Sequence, residues 1–361
     1  MIKAGKPREI HNKIIELMDA QRRFALVLVL SADGSTPLKA GAKAIVEEDG
    51  HIIGTIGGGQ VEAEAQKQAV EACKSGEPVV FDFQLHGTSK SDDEPICGGA
   101  MQILVDSTIA KNRSIFNNAA EAIKQRHRGV LLTKIKQSTH TKVDIEWIPE
   151  NQISNHITFP GSEQILSCLK HEKPQLFIES KSKVFVEPVI PKPNLIIAGG
   201  GHIGQALALQ ASLVGFDINI VDDRPEFTDP ILYPEGTTTY CDDIPERVAE
   251  LLKDSESYIV IVTRGHKLDA DVLEACINKP AAYIGMIGSE RKVKLMRKNF
   301  IESGLATADE FDRVFAPVGL DIGSVTVPEI AVSITAQLIA VRRKRLAEIP
   351  MYIGTKKTEI S

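Results

Sequence analysis

Two glycine-rich junctions are the stretches of this chain best suited to hold an anion. The first follows the apolar run HIIGTI and precedes a segment that predicts a helix over about residues 60–74. Its three consecutive glycines are Gly57, Gly58 and Gly59. Successive glycines allow backbone N–H groups to converge on one point, and a helix that starts there adds its positive end. We predict a phosphate site at this turn; tight backbone packing is the alternative.

Charged residues near this turn in the sequence affect whether it can bind an anion. Glu62 and Glu64 lie in the first turn of the predicted helix, where they stabilise its N-terminus but compete with an anionic ligand. The nearby loop DGSTP at 33–37, followed by Lys39 and Lys43, offers hydroxyl donors and cations. An ordinary turn with lysines that face solvent explains the same residues equally well.

The second junction follows the apolar strand LIIA. Its G-x-G-x-x-G spacing is formed by Gly199, Gly201 and Gly204. A predicted helix and a strand over 218–221 come next, and the strand ends at Asp222. This order is typical of dinucleotide binding, with glycines for the pyrophosphate and an acid for a ribose hydroxyl. The acid favours NAD and Arg224 leaves NADP open, while glycines that only pack a doubly wound sheet are the other interpretation.

Cys97 is the cysteine whose setting favours reactivity. It precedes a glycine pair on the predicted loop PICGGAM, where a thiol can become an accessible thiolate that acts as a soft metal ligand or a sulfur carrier. Burial as a small apolar side chain is the alternative. The remaining cysteines are predicted to be packing residues, namely Cys73, Cys168, Cys241 and Cys276.

His266 and Asp269 are the best candidates for an acid–base pair. They follow the predicted strand YIVIVTRGH, at the edge where α/β sheets bind ligands. Alternatively, His266 starts the next helix and Asp269 faces water. Arg291, Lys292 and Lys294 after GMIGSE are candidates for phosphate contacts, although a solvated helix face explains such a run as well.

Strand and helix signals alternate on both sides of a less regular stretch. Before it, AKAIVEE and HIIGTI predict a hairpin, and the Asp49–Gly50 pair between them favours a type I′ turn. We expect residues 110–190 to be the irregular part of a first domain and PVIPKPN to be a semi-rigid linker. The prediction is an α/β protein with an N-terminal α/β domain of mixed sheet over 1–190 and a C-terminal Rossmann-like, doubly wound parallel sheet over 191–361.

Composition limits the classes of protein to consider. The formal net charge of −6 argues against broad affinity for nucleic acid, which comes from lysines and arginines. No apolar run approaches the ~18 residues of a membrane span, and the N-terminal sequence lacks a secretory signal. The five cysteines form no CxxC pattern. We therefore expect a cytoplasmic protein that binds neither nucleic acid nor membrane, with a homodimer as the commonest assembly.

Many of these stretches together resemble the XdhC/CoxI family. They are GSTPLKAGAKAIVEEDGHIIGTIGGGQVE, CGG, AGGGHIGQAL, VDDRPEF, VTRGHKLD, YIGMIGSERK and APVGLDIGSVTVPEIAVSI, in the family's order. The resemblance implies an accessory protein that binds molybdopterin, the molybdenum cofactor, and supports its sulfuration. Such a protein then inserts the cofactor into a xanthine dehydrogenase-type molybdenum hydroxylase, as in purine catabolism.

The resemblance also implies site residues and a further partner, a cysteine desulfurase. By position, the family's sites correspond to Gly57, Gly58, Gly59 and the Gly34–Thr36 loop, to Cys97 as a cofactor or sulfur contact, and to Gly199, Gly201, Gly204 and Asp222 in the Rossmann fingerprint. Two departures matter. Leu38 stands where family members commonly have arginine, and Ala44 where they have methionine. The missing arginine removes a phosphate clamp.

Members of the family often carry the name xanthine dehydrogenase after the enzyme they serve. This sequence has no cysteine spacing for iron–sulfur clusters, so we expect a cofactor chaperone without turnover of its own. The alternative is an NAD(P)-dependent oxidoreductase that acts on a small molecule through His266 and Asp269.

Overall fold

The chain folds into two compact units, Met1–Pro191 and Lys192–Ser361. The computed structural model describes residues 7–85, 99–180, 182–252 and 256–343. Cys97, a predicted site residue, lies outside these described residues. Among the helices of the described residues, none combines the length and the apolar character needed to cross a membrane.

The first unit combines helices with two sheets. Its helices are α1 (Pro7–Asp19), α2 (Gly59–Ser75), α3 (Arg113–Lys124) and α4 (Ser162–His171). Its strands are β1 (Phe24–Asp33), β2 (Lys43–Glu47), β3 (Ile52–Gly54), β4 (Val79–Gln84), β5 (Ala100–Asp106), β6 (Gly129–Gln137), β7 (Thr141–Pro149), β8 (Gln175–Glu179) and β9 (Ser182–Val189). The strand orders are β3-β2-β1-β5-β4 and β7-β6-β9-β8.

All described strand pairs of the first unit are antiparallel, so the expectation of a mixed sheet was wrong in this detail. The connections from β1 to β2, from β2 to β3 and from β6 to β7 are short. Because a parallel pair needs a long crossover, strands joined by short connections pair in antiparallel fashion. Helix α2 follows β3, but it carries the chain to β4 at the far edge of the sheet. No parallel neighbour is therefore formed in the described part of this unit.

Strand β1 is the centre of the first sheet. Its residues from Phe24 to Leu30 are all buried. Successive side chains of a strand point to opposite faces. One set, Ala25, Val27 and Val29, packs with α2, and the other set lies in clusters that include residues of the second sheet. Burial on both faces explains why FALVLVL is a continuous apolar run.

The prediction that residues 110–190 are irregular was wrong. This segment forms α3, α4 and the second sheet, β6 to β9. The polar composition was misleading because β7 is an edge strand whose side chains alternate between exposed and less exposed positions at its start. The predicted linker is also shorter than expected, since Pro188 and Val189 belong to β9.

The hairpin of β2 and β3 is confirmed, but its turn is not type I′. A type I′ turn needs positive φ at both central residues. In the loop between these strands Gly50 has φ +89°, and Asp49 is not among the described residues of positive φ. The Gly50 N–H donates to the Glu47 carbonyl (2.9 Å). Glu48 and Asp49 are thus the centre of the turn and Gly50 follows in the left-handed region, as in longer hairpin loops.

Three ionisable side chains lie buried together in the first unit. Lys43 of β2 contacts both carboxylate oxygens of Glu187 of β9. The Lys43 Nζ atom also lies 3.1 Å from Nε2 of His11 in α1. An ammonium group can only donate, so this His11 nitrogen is an unprotonated acceptor. The cluster links α1 with both sheets, and burial followed by the charge of Lys43 lowers the pKa of His11 from 6.5 to about 4.

We predict that acid destabilises the protein through His11. Folded His11 is neutral, whereas unfolded His11 binds a proton below about pH 6.5, so its contribution is complete above pH 6.5 and is lost as the pH falls towards 4. The loss is about 3 kcal/mol of the free energy of unfolding. Urea titrations between pH 7 and 4 would measure it. His11→Gln, which keeps an acceptor for Lys43 but cannot protonate there, should show a shallower pH dependence; an unchanged slope would contradict the assignment.

The second unit is a parallel sheet covered on both faces. Its helices are α5 (His202–Leu213), α6 (Ile244–Leu251), α7 (His266–Cys276), α8 (Glu290–Glu302), α9 (Ala308–Asp312) and α10 (Val327–Arg342). Its strands are β10 (Asn194–Ala198), β11 (Asp217–Asp222), β12 (Thr238–Cys241), β13 (Tyr258–Ile261) and β14 (Tyr283–Met286). All are parallel in the order β12-β11-β10-β13-β14. The predicted Rossmann-like fold is confirmed.

Alternate residues of the central strands divide between two cores. Ile196 and Ala198 of β10 pack with α6 and α7, while Leu195 and Ile197 pack with α5 and α10. Beyond β14, Phe315 forms an isolated parallel bridge with Gly285, and the Val318 N–H donates to the Met286 carbonyl (3.0 Å). The prediction for Cys241 was wrong: it is exposed, whereas Cys73, Cys168 and Cys276 are buried. Cys241 is the last residue of β12, an edge strand whose first and last side chains are exposed.

Candidate functional site

In the first unit, the GSTP loop, the glycine turn and Gly99 lie together at one end of the strands of the first sheet. The end of β1 pairs with the start of β5 (Asp33 with Ala100), so the loop after β1 and the residue before β5 lie together. A Cβ atom added to Gly99 would lie closer than 3.0 Å to the Ser35 carbonyl. A Cβ atom added to Gly57 would come equally close to the Pro37 ring. The GSTP loop is therefore packed between the glycine turn and the chain that follows Cys97.

The conformation of the glycine turn explains its composition. Gly57, Gly58 and Gly59 have φ of +125°, +72° and +62°, a region that other residues rarely adopt. Gly57 is also required by its contact with Pro37, whereas a Cβ atom at Gly58 or Gly59 would meet nothing within 4 Å. One glycine therefore serves packing. The other two present an open backbone surface at the N-terminus of α2.

The Glu62 carboxylate binds one side of this turn, which we call the inner side and which consists of the N–H groups of Ile56 and Gly58. Its Oε2 atom accepts from the Ile56 N–H (3.2 Å), the Gly58 N–H (3.4 Å) and the Thr55 hydroxyl (2.6 Å). The Gly57 N–H donates to the Thr55 hydroxyl oxygen (3.1 Å). As expected from the sequence, Glu62 competes with an anionic ligand, and it does so for the N–H groups of Ile56 and Gly58. Glu64 instead accepts from Gln68 (2.8 Å).

The other side of the turn, which we call the outer side, consists of the backbone N–H groups at the start of α2. The first N–H groups of a helix have no partner within the helix, and in α2 the exposed ones belong to Gly59 and Gln60, since Val61 is buried. The N-cap residue, Gly58, has no side chain to bind these donors, and the Glu62 carboxylate accepts from Gly58 and Ile56 instead. The Thr36 hydroxyl, in the loop beside Gly57 and Gly99, is buried and has no partner among the described residues. The outer surface can therefore accept an anion of modest size.

The glycine turn of the second unit is more closely packed. Gly199 has φ +114° and packs against the Val262 carbonyl, and Gly204 packs against the Gly199 carbonyl. A Cβ atom on Gly200 would come closer than 3.0 Å to the Phe227 carbonyl and the Tyr233 hydroxyl. Gly201, which precedes α5, is open, with nothing within 4 Å of an added Cβ atom.

Asp222 does not present a free carboxylate beside this turn. It is buried and accepts the Gly200 N–H (2.8 Å). It also accepts the Arg224 N–H (3.0 Å) and two guanidinium N–H groups of Arg224 (2.8 and 2.9 Å). Burial raises the pKa of Asp222, but the hydrogen bonds from Arg224 and Gly200 outweigh it and hold that pKa below its ordinary value. The carboxylate is charged and fully engaged.

His266 and Asp269 are not joined as an acid–base pair by any hydrogen bond of the described residues. His266 is exposed at the start of α7, as the alternative interpretation had it. Asp269 is buried rather than facing water, and it accepts from the Thr263 hydroxyl (2.6 Å) and N–H (3.1 Å). Burial raises the pKa of Asp269, although Thr263 acts in the opposite direction. Asp269 fixes the loop that leads into α7.

Several contacts had no signal in the sequence. Phe227 ends the family stretch VDDRPEF and Tyr233 follows it, but nothing in the sequence indicated that both cover Gly200. The ion pair of Arg264 with Asp223 (2.7 Å) joins residues far apart in the chain. Arg291, Lys292 and Lys294 lie in the first turns of α8 and are exposed, which fits the interpretation as a solvated helix face. Among the described residues, no group of three or more His, Cys, Asp or Glu side chains is arranged to hold a metal ion.

The fold and the two glycine turns define a two-unit α/β protein whose second unit is Rossmann-like. Residues 17–84 match the model of the XdhC and CoxI family, and residues 195–338 match that of the XdhC Rossmann domain. The chain belongs to the XdhC and CoxI family.

Individual relatives are distant but extend over nearly the whole chain. A probable xanthine dehydrogenase subunit of Bacillus subtilis (strain 168) is 22% identical over 92% of this chain and 98% of its own. The molybdenum cofactor insertion chaperone PaoD of Escherichia coli (strain K12) is 23% identical over 93% of this chain and 88% of its own. YqeB, an uncharacterized protein of Escherichia coli (strain K12), is 25% identical over 92% of this chain, which spans only 46% of YqeB.

A solved structure has the same fold. The crystal structure of a xanthine dehydrogenase from Bacillus halodurans superimposes with a TM-score of 0.72, at 24% identity, over 93% of this chain and 98% of that one. This similarity supports the architecture of two α/β units, the second of them Rossmann-like.

We predict that two neighbouring glycines of the second turn respond differently to alanine. Gly204→Ala forces a Cβ atom against the Gly199 carbonyl and should lower the free energy of unfolding by about 1–3 kcal/mol. Gly201→Ala adds its Cβ atom in open space at φ −66° and should be neutral within about 0.5 kcal/mol. Denaturant titration of both variants measures the difference. Equal losses would show that Gly204 is not packed against the Gly199 carbonyl.

Proposed function

We propose that this protein is an accessory factor of a xanthine dehydrogenase-type molybdenum hydroxylase. It binds the molybdenum cofactor, supports its sulfuration and inserts it into the enzyme. Membership of the XdhC and CoxI family supports this proposal. So do the names of two relatives, a molybdenum cofactor insertion chaperone and a probable xanthine dehydrogenase subunit.

The observation that carries the proposal is the open outer side of the first glycine turn. Molybdopterin ends in a phosphate, and the N–H groups of Gly59 and Gln60 at the start of α2 suit a phosphate without a charged side chain. Gly58 and Gly59 leave space beside these amides. Glu62 holds the inner amides, so the phosphate is bound at the outer face.

The rest of the cofactor would lie towards the GSTP loop and Gly99. Gly99, two residues after Cys97 in the sequence, contacts the GSTP loop beside Gly57. A thiolate is a soft ligand suited to molybdenum and sulfur chemistry. We therefore assign to Cys97 the contact with the metal or with the sulfur that a cysteine desulfurase delivers. A cytoplasmic homodimer is the assembly in which we expect this exchange.

No described contact favours the alternative function as an NAD(P)-dependent oxidoreductase. Its proposed acid–base residues are in separate environments: His266 is exposed to solvent, whereas the Asp269 carboxylate accepts a hydrogen bond from Thr263. The proposed role is therefore that of a carrier that holds its cargo through backbone amides.

We predict that a carboxylate introduced beside the outer amides abolishes cofactor binding. Gly58→Asp should lower the affinity for molybdopterin at least tenfold, because the carboxylate repels and displaces the phosphate. Gly76→Asp is a control for the added carboxylate only: Gly76 lies at the opposite end of α2 in equally open surroundings, with φ +74° and ψ 12° against φ +72° and ψ −178° at Gly58. Anaerobic calorimetry gives both affinities. Equal affinities in the two variants, or no binding by the unaltered protein, would refute the proposal.

We also predict that Cys97→Ala reduces retention of the sulfurated cofactor. The variant should copurify with at most a third of the normal amount, because a soft ligand is lost while the phosphate contacts persist. Cys241→Ala, which removes an exposed thiol of the second unit, should retain the normal amount. Mass spectrometry of the released pterin distinguishes sulfurated from unsulfurated forms. Normal retention by Cys97→Ala would exclude the thiol from the site.

A further inference from the structure

The second unit contains the place where a Rossmann fold ordinarily binds a dinucleotide. In its strand order, β12-β11-β10-β13-β14, the chain runs outwards from β10 through β11 and β12 and then resumes at β13 on the other side. The crevice lies where the direction reverses, outside the end of β10. It is bounded by the loops that follow β11 and β13. Three sets of contacts occupy this crevice.

The first set engages the acid that would bind the adenosine ribose. Asp222 accepts two hydrogen bonds at each carboxylate oxygen, three of the four from Arg224. A carboxylate has about four acceptor positions, so none is left for a ribose diol. The Arg224 guanidinium bonds are charge-assisted and stronger than those a neutral hydroxyl offers. A ribose would have to displace them and leave Arg224 without its partner.

The second set covers the glycine that a pyrophosphate approaches. The Tyr233 hydroxyl donates to the carbonyls of Gly200 (3.2 Å) and Phe227. Tyr233 is 8% exposed, so it is part of the core rather than a mobile cover. The Arg224 guanidinium lies on the Phe227 ring, 3.9 Å from its centroid. The segment after β11 is thus fixed against the glycine turn at several points.

The third set crosses the crevice. The Arg264 guanidinium, after β13, donates to the Asp223 carboxylate, after β11 (2.7 Å). Strands β11 and β13 lie on either side of β10, so this ion pair bridges the loops above the end of β10. The Arg224 Nε atom lies 3.8 Å from Asp223, which connects this bridge to Asp222.

From these contacts we propose that the second unit does not bind NAD or NADP, although it carries the dinucleotide fingerprint. Asp222 is a positioning residue, which holds Gly200 and Arg224 in place, and Arg224 and Arg264 close the crevice. A 2′-phosphate gains nothing from Arg224, because that guanidinium is already paired with Asp222. The fingerprint glycines Gly199 and Gly204 serve the close packing of strand and helix.

The test is a gain of binding by the full chain. For the unaltered protein, calorimetry with NAD⁺, NADH and NADP⁺ should give dissociation constants above about 1 mM, with no increase in melting temperature. The double variant Arg224→Ala/Arg264→Ala frees Asp222 and removes the bridge, and it should bind NAD⁺ at least tenfold more tightly. Arg264→Ala alone loses only an exposed ion pair and should fold normally, with a smaller gain in the same direction.

A matched control separates this effect from a change in net charge. Arg297→Ala/Lys298→Ala also removes two cations from the second unit, where they pair with Asp312 and Glu302, and it should leave NAD⁺ binding unchanged. Micromolar binding of NAD⁺ or NADP⁺ by the unaltered protein would overturn the proposal. It would equally be overturned if neither crevice variant gained affinity, because the contacts would then not be what excludes the dinucleotide.

Discussion

The structure depends on how backbone N–H groups are satisfied where a strand passes to a glycine turn and then to a helix. In both of the glycine-rich turns described above, one in each unit, a carboxylate of the chain itself is bound to backbone amides. In the first unit it is Glu62, which accepts from Ile56 and Gly58. In the second unit it is Asp222, which accepts from Gly200. Unpaired donors at buried turns are costly, so an internal acceptor stabilises both.

The two turns differ in what remains open. Glu62 accepts from backbone amides and a hydroxyl, and Gly58 and Gly59 keep free space at the start of the helix. Asp222 is paired with an arginine, and Tyr233 and Phe227 cover the neighbouring glycine. The same arrangement of strand, glycine turn and helix thus has different surroundings in the two units. The first turn is open at two of its glycines and can receive an external anion, whereas in the second turn Gly199, Gly200 and Gly204 are packed and Gly201 is open. The proposed carrier function rests on the first turn.

Much of this architecture could be predicted from the sequence. Buried parallel strands are continuous apolar runs, and the strand–glycine–helix order of the second unit is local in the chain, so its fold followed from pattern alone. Helix α2 was predicted nearly to the residue because Gly76, with φ +74°, ends it. The second sheet of the first unit was missed, because its edge strand β7 carries polar side chains and lacks an apolar run.

The roles of individual side chains were harder to predict, because they depend on contacts between distant parts of the chain. The fingerprint predicted that a strand ends at Asp222, as it does, but Arg224, only two residues away, takes the carboxylate that the motif assigns to a ribose. Asp269 was paired with His266 by proximity in sequence, whereas its partner is Thr263 on the preceding loop. Lys39 and Lys43 looked alike in the sequence, yet Lys43 is buried against Glu187.

The most direct measurement of the central claim is amide NMR of the chain labelled with ¹⁵N only at glycine, during titration with molybdopterin. Binding at the open turn predicts that the Gly58 and Gly59 resonances shift, while those of Gly199, Gly200 and Gly201 stay in place. Shifts confined to the second group would contradict the account, since the cofactor would then be held by the turn in which Asp222 is already paired and Gly200 is covered.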